Sequence, residues 1–409
     1  PITLLNADLK LLTAALARRV GAALADTITP HQTGFMGGRF IASNTQTTHL
    51  LQAIQEEDAE TFTAFVALDQ EKAFDRVSWK TLNDAYQNIG FGINMCGWIR
   101  TLYNTNRPLR RRIRIGGECS QDYFIQSGVP QGDGLSPISY IIIMEGLARM
   151  IDNEKELPGV EVNGARWKFS LYADDTICYL AGESLESIDE QLAALWRVLT
   201  IFEEATGALI NKTKTEGLAV GALRQHQLDG HDLPQKSVIG WLDEGTHTKI
   251  LGAPLGNGFD ENDYWQKIYI KFTERISSWR HRTPGVVPEA RVSLLYSMCL
   301  SLFFYQCQTR CPSQELGNKL RRDIEYFIFK RKPNFNSDAD DGEKTYRKWL
   351  SKDTMHLKKQ RGGLGVPNWD AQVGALQAMW VVRYIAPANQ PWRPLLDYYL
   401  LHRSGPRGR

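Results

Sequence analysis

The stretch Phe169-Ser-Leu-Tyr-Ala-Asp-Asp-Thr-Ile-Cys-Tyr-Leu180 sets two adjacent acids, Asp174 and Asp175, between apolar and aromatic runs. Runs this short, rich in β-branched and aromatic residues on both sides of an Ala-Asp-Asp break, predict two strands of a tight hairpin. Both carboxylates then sit at its apex. Neighbouring anions repel, so they are tolerated where water solvates them or where a divalent cation lies between them. An exposed acidic turn is the plainer alternative for this stretch taken alone.

A third acid lies far upstream. Phe62-Thr-Ala-Phe-Val-Ala-Leu68 is an apolar run of strand length, and it ends on Asp69. An acid at the end of a buried strand is placed to face a cleft. Asp69 beside Asp174 and Asp175 makes a three-carboxylate cluster, and hard oxygen ligands of this kind suit Mg²⁺. Two such ions ~3.5–4 Å apart can activate an attacking oxygen and stabilise a leaving one in phosphoryl transfer.

Three segments carry a family likeness. Ala67-Leu-Asp-Gln-Glu-Lys-Ala-Phe-Asp-Arg-Val77 resembles the first catalytic motif of reverse transcriptases. Ser127-Gly-Val-Pro-Gln-Gly-Asp-Gly-Leu-Ser-Pro137 resembles their Gln-Gly motif, and Tyr172-Ala-Asp-Asp175 their metal-binding box. The order and intervals resemble the non-LTR retrotransposon (long interspersed element) branch. Pro1-Ile-Thr-Leu-Leu-Asn6, Gln32-Thr-Gly-Phe-Met-Gly-Gly-Arg39, Asn211-Lys-Thr-Lys-Thr215 and Ile250-Leu-Gly252 agree with it, so the likeness covers most of residues 1–255.

The resemblance implies an α+β right-hand polymerase: fingers over 1–61, a palm with interleaved fingers elements over 62–260, and a helical thumb over 261–312. A basic extension follows over 313–409. It implies RNA-directed DNA polymerase activity on an RNA template and DNA primer with dNTPs. Asp69 and Asp174 would hold two Mg²⁺ ions (Mn²⁺ as a substitute), with Asp175 supporting them. Phe74 falls where the family places a steric gate against the ribose 2′-OH; a plain core Phe is the alternative. Gln131 matches a residue near the incoming nucleotide, and Lys214 one that reaches the triphosphate, or else a surface lysine. Arg39, after Gly34, Gly37 and Gly38, is placed to meet the triphosphate, or is a solvated Arg in a Gly-rich turn. Gly128, Gly132 and Gly134 would give flexibility where the chain passes under a base pair. Asp133-Gly134 departs from the usual Cys-Pro pair, and an acid so near a triphosphate is expected to point outward.

Length and composition set outer limits. The 409 residues allow two or three domains, and 43% hydrophobic with 23% charged residues is a globular balance. A net charge of +2 does not by itself imply nucleic acid, so a nucleic-acid partner must rest on local patches. Six cysteines in so long a chain do not suggest a disulfide framework; Cys307 and Cys311 have no matching His or Cys pair nearby and read as thiols rather than a zinc site. Leu5, Leu9, Leu12 and Leu16 make one face of a packed helix, not a signal or membrane segment. Without an initiator Met, the sequence opens inside the family's first conserved block. It is expected to be a fragment of a longer polyprotein carrying an endonuclease elsewhere, and to act in an intracellular ribonucleoprotein, nuclear or cytoplasmic.

Further along, a helix is predicted over Trp79–Ile89, with Asp75 and Ser78 as capping residues and Gly90 as its stop. Arg107-Pro-Leu-Arg-Arg-Arg-Ile-Arg-Ile115 predicts one strand with Arg110, Arg112 and Arg114 on one face and Ile113 and Ile115 beneath, turning at Gly116-Gly117. The stripe is suited to backbone phosphates; a charge-guarded edge strand is the alternative. Ser136–Arg149 predicts a buried helix. Ile188, Leu192, Leu195, Leu199 and Phe202 predict an amphipathic one, with Ser187 and Glu190 as capping box and Gly207 as its end. Tyr264–Arg282 and Ala290–Gln306 predict two thumb helices about a Pro284–Pro288 turn, gripping a template–primer duplex by shape and phosphates. Between Asn318 and Arg361 there are 13 Lys/Arg against 7 Asp/Glu, divided by the acidic run Asp338–Asp341. Arg361–Pro367 resembles the family's post-thumb segment, and Trp349, Trp369 and Trp380 are expected in the core. Two rival functions remain open on these residues: a catalytically dead nucleic-acid-binding remnant, and a group II intron-type maturase.

Overall fold

A computed structural model of the chain describes residues 5–104, 106, 109–282, 287–329, 350–386 and 390–403. Packing divides it into two compact units, residues 1–257 with 389–409, and residues 258–388.

The first unit is organised on a five-stranded sheet, in the order Gly240–Trp241, Glu216–Gly221, Phe62–Leu68, Asp175–Gly182, Phe169–Tyr172. Phe62–Leu68 is central and antiparallel to both neighbours, with Phe65 opposite Tyr179 on one side and Leu218 on the other. Both its faces are covered, which is why it reads as a continuous apolar run rather than an alternation. Alternation still sorts the two faces. Ala64, Val66, Leu68, Cys178 and Leu180 enter the main apolar core with residues of helices Ser136–Asn153 and Leu185–Thr206.

Phe65 and Tyr179, with ring centres 5.0 Å apart, face the other way. The helix Ile41–Gln55 on that side is rich in buried hydroxyls and amides, including Asn44, Thr45, Thr47 and Thr48. Buried polar groups need partners, and several of these find them. Tyr179 Oη lies 2.8 Å from Thr48 Oγ1 and donates to Ser170 Oγ, Thr63 donates to Gln55 Oε1, and Asn44 Nδ2 donates to the Leu171 carbonyl.

The expected helix after Asp69 spans Trp79–Asn88, capped by Ser78, whose Oγ accepts the Thr81 N–H. The N-terminal helix spans Ala7–Leu24. Leu16 is buried, while Leu5, Leu9 and Leu12 on the same face are half-buried. Helix Leu185–Thr206 ends at Gly207 (φ +78°), as expected, but its cap lies earlier than predicted. Ser184, in extended backbone, accepts the Ser187 N–H, so Ser187 donates to a cap rather than forming one.

The arginine-rich strand departs further from expectation. It breaks at Arg112–Ile113: Leu109–Arg111 pairs with Tyr123–Ile125, and Arg114–Ile115 pairs with Glu118–Cys119 about the Gly116-Gly117 turn. Ser120 fills the break, accepting from the Ile113 N–H and donating its own N–H to the Ile113 carbonyl. Ile113 and Ile115 are 55% and 76% exposed, so no core lies under the expected apolar face. Residues 107 and 108 fall outside the described residues.

The second unit is helical among its described residues, apart from loops. Helix Glu261–Arg282 shares a core of Trp265, Phe272, Phe303, Phe327 and Trp369 with helices Gln314–Phe329 and Trp369–Ile385. The expected Ala290–Gln306 helix is interrupted: Pro288–Leu294 is α-helical, Leu295–Leu300 is a π turn, and Ser301–Phe304 is α-helical again. Because Leu316, Leu320 and Ile324 belong to the same core as Phe272, the boundary expected at residue 312 falls inside one packed body. Trp369 is buried as expected, whereas Trp380 is half-buried and donates to the Gln308 carbonyl. Residues 283–286 of the proline turn, and 330–349 with the acidic run and Trp349, lie outside the described residues.

The final described stretch returns to the first unit. Trp392 is fully buried, the Trp167 indole donates to the Pro391 carbonyl at 3.0 Å, and helix Arg393–Arg403 packs on Ile41–Gln55. All six cysteines are free thiols, with Cys307 buried and Cys311 exposed. Among the described residues no helix is long and apolar enough to cross a membrane.

Candidate active site

Sheet register brings the acids together. Tyr172 pairs with Asp175 across a two-residue turn, Ala173-Asp174, and Leu68 pairs with Thr176 on the neighbouring strand. Asp69 therefore leaves the central strand level with Asp175, beside the apex that carries Asp174. Partial burial, then its own backbone N–H acting the other way, then the charge of Asp69, leave Asp174 above its ordinary range. Burial, then Asp174, then Asp69 push Asp175 up to about 6. Residue Asp175 nonetheless remains exposed, so like-charge repulsion is the part of this shift that a bound cation would relieve.

These oxygens fit a hard divalent cation, though not as a closed cage. Among the described residues no three His, Cys, Asp or Glu side chains are drawn tightly enough to hold an ion alone. Lys214 Nζ lies 3.7 Å from Asp69 Oδ2 and partly balances that carboxylate. The expected three-carboxylate cluster is thus a coupled Asp174/Asp175 pair with Asp69 shared with a lysine. Mg²⁺ keeps several waters and takes substrate phosphates as ligands, so an incomplete protein set suits it better than it would suit Ca²⁺ or Zn²⁺.

Buried polar side chains grip the turn. Gln70 Nε2 lies 3.5 Å from the Asp174 carbonyl, which also accepts from Thr176 Oγ1. Tyr140, buried in helix Ser136–Asn153, donates to Gln70 Oε1 at 2.6 Å. Burial and then the Asp174 charge raise the Tyr140 hydroxyl well above its ordinary pKa, so it stays a donor. The Phe74 ring stacks on Tyr140 at 4.7 Å and 15° and is half-buried, between a core position and a cleft wall.

A family model described as reverse transcriptase (RNA-dependent DNA polymerase) matches residues 1–255, more than half of the chain. The chain belongs to the reverse transcriptase family. A transposon TX1 protein of Xenopus laevis is 26% identical over 98% of this chain and 28% of that protein. The Pol polyprotein of the type-1 retrotransposable element R2 of Nasonia vitripennis is 24% identical over 97% of this chain and 36% of its own length. The chain thus spans about a third of these relatives, which place it with the non-LTR branch. A telomerase structure from Candida tropicalis is similar at 11% identity and a TM-score of 0.39, covering 95% of this chain and 56% of that one.

Several residues matched to family motifs have other work in this reverse transcriptase fold. Arg39 is spent on the backbone: its two terminal nitrogens donate to the carbonyls of Ala25, Ile28, Thr29 and Gln32. That corrects both the triphosphate contact and the solvated Arg, because the carbonyls left open after helix Ala7–Leu24 need donors. Gly128 is not a flexible point. Its φ is +84°, a Cβ there would sit 2.6 Å from the Asp75 carbonyl oxygen, and its N–H and carbonyl bond Val77 and the Trp79 indole. Asp133 points inward, opposite to expectation: it is buried, accepting from the Leu135 N–H and Ser136 Oγ at the start of helix Ser136–Asn153. Gln131 is half-buried and Gly132 exposed (φ +101°) in the same turn. Arg110 and Arg112 both pair with Asp122 on the exposed hairpin, and Arg114 is exposed.

Sequence reasoning did not single out Gln32, Gln70 or Tyr140. Gln70 follows Asp69 directly and could have been found by its place; Tyr140 is hidden inside an apolar helical run.

Proposed function

We propose that this chain is an RNA-directed DNA polymerase that copies retrotransposon RNA into DNA, adding deoxynucleotides from dNTPs to a primer 3′-OH. The observation that carries this reading is the register placing Asp69 beside the Asp174–Asp175 turn in a chain of this family. Asp174 and Asp69 would hold two Mg²⁺ ions, with Asp175 adding negative charge beside them. When bound, such ions lower the pKa of the attacking hydroxyl and stabilise the leaving pyrophosphate. The chain's own residues do the rest. Gln70, Thr176 and Tyr140 fix the turn so that its carboxylates do not splay apart, and the Phe74 ring walls the site where a ribose 2′-OH would enter. Lys214 would release Asp69 to a cation and turn its charge to phosphate oxygens. RNA template, DNA primer and further polyprotein domains, an endonuclease among them, are the partners this reading implies.

Primer extension on an RNA template with Mg²⁺ tests it, beside filter binding of the same duplex. Asp174→Asn is expected to lower the extension rate by about 10²–10³-fold or more while leaving duplex binding within a few-fold, because one preorganised electrostatic contact is lost. The Lys214–Asp69 ion pair favours one second reading, a nucleic-acid-binding protein whose site is closed by its own lysine. Binding without extension by the wild-type chain would establish that reading instead.

A further inference from the structure

The turn that carries Asp174 is held in a conformation its sequence does not favour. Ala173 has φ +55° at the first of the two turn residues, a place where glycine is ordinarily found. For an alanine this costs about 1–2 kcal/mol, and such strain persists only where the surroundings over-determine it.

What over-determines it comes from the loop after helix Ala7–Leu24. The Ala173 N–H donates to Gln32 Oε1 at 3.1 Å, and the Gly34 N–H donates to the same oxygen at 2.9 Å. The loop also pairs with the hairpin strand, through Thr33 N–H to the Leu171 carbonyl and Leu171 N–H to the His31 carbonyl. Gly34 allows the approach, since a Cβ there would lie 2.6 Å from the Ala173 nitrogen. Gln32 is fully buried, and its Nε2 has no hydrogen-bond partner. An unpaired buried amide is unfavourable by about 1–3 kcal/mol. Packing alone would be served better by an apolar isostere such as methionine.

We infer that Gln32 is a positioning residue for polymerisation: its side-chain oxygen latches the strained Ala173–Asp174 turn and so fixes where the two carboxylates point. This inference rests on the polymerase reading above. The latch grips the amide end of the turn, while Gln70 and Thr176 grip the carbonyl end. Without it Ala173 relaxes toward negative φ and the Asp174 side chain swings with it. A misplacement near 1 Å at a reacting centre lowers rates by up to about 10²-fold.

The test compares the wild-type chain with Gln32→Met, which keeps the shape but removes the acceptor, and Gln32→Asn, whose oxygen is one methylene short. Thr33→Val, which removes the neighbouring buried hydroxyl that also lacks a partner, is the control. Hydrogen exchange of the segment 169–180 is measured without metal or substrate, together with thermal unfolding and single-turnover primer extension. Both Gln32 variants are expected to unfold within a few degrees of the wild type and bind duplex as well. They should exchange the Ala173 amide faster and extend between about 10- and 100-fold more slowly, whereas Thr33→Val should do none of this. Unchanged exchange at Ala173, or wild-type extension rates in a folded Gln32 variant, would overturn the latch. If the wild-type chain itself fails to extend, the polymerase reading falls, and the exchange measurement still decides whether Gln32 holds the turn.

Discussion

At Asp175 the sign of the pH dependence follows from the geometry. Its carboxyl titrates at about 6 in the fold, above the ordinary 3.8. Between those values the folded, metal-free chain keeps a proton that the unfolded chain releases. The stabilisation is complete below about 3.8 and is lost as the pH rises through about 6. Metal-free protein is therefore expected to melt lower at about pH 7 than at about pH 5, and Asp175→Asn to flatten that difference. A cation needs the ionised form, so Mg²⁺ should raise the melting temperature at the higher pH and do little at the lower. Scanning calorimetry at the two pH values, with and without Mg²⁺, reads all of these. Phe74 offers a second residue-scale prediction. Replacing its ring, stacked on Tyr140 at 4.7 Å, by the smaller side chain in Phe74→Val should raise ribonucleotide incorporation relative to deoxynucleotide by about 10-fold or more, measured as the ratio of kcat/KM values.

At the scale of elements, close backbone approaches decide what can change. Gly34→Ala would force a methyl against the backbone of Tyr172 and Ala173, which cannot yield as a flexible side chain would. A loss of about 1–3 kcal/mol in denaturant unfolding is expected, the range for overpacking. The hairpin that carries Asp174 and Asp175 and its partner strand were legible in the sequence because apolar runs of strand length ended on acids. Helix Trp79–Asn88 was legible because Ser78 and Gly90 bracket it. The polar face of Ile41–Gln55 was not, since its threonines and Asn44 are buried against hydroxyls of the sheet and carry no apolar stripe. Arg39 and Asp133 misled in different ways. A cation beside glycines suggests a ligand, and an acid near an expected triphosphate suggests a solvated side chain, yet here each satisfies groups next to a helix end, a demand that only the folded neighbours reveal.

Among the described residues there are two separate apolar cores. Phe303 lies in the second, with Trp265 and Trp369 rings packed on it. Phe303→Ala should destabilise residues 258–388 by about 3–5 kcal/mol, and hydrogen exchange should show the loss there while Asp175–Gly182 stays protected. That residues 258–388 form one packed body was not legible, because the boundary expected at residue 312 rests on local charge, which does not mark a change in packing. The body that carries the carboxylates is assembled from two pieces of sequence, with another body spliced between them. A gene shortened to stop at residue 257 would strand the Trp167 indole without its acceptor and lay bare one flank of Ile41–Gln55. The smallest self-sufficient version of this body must therefore keep its tail, rejoined by a linker, rather than simply end early.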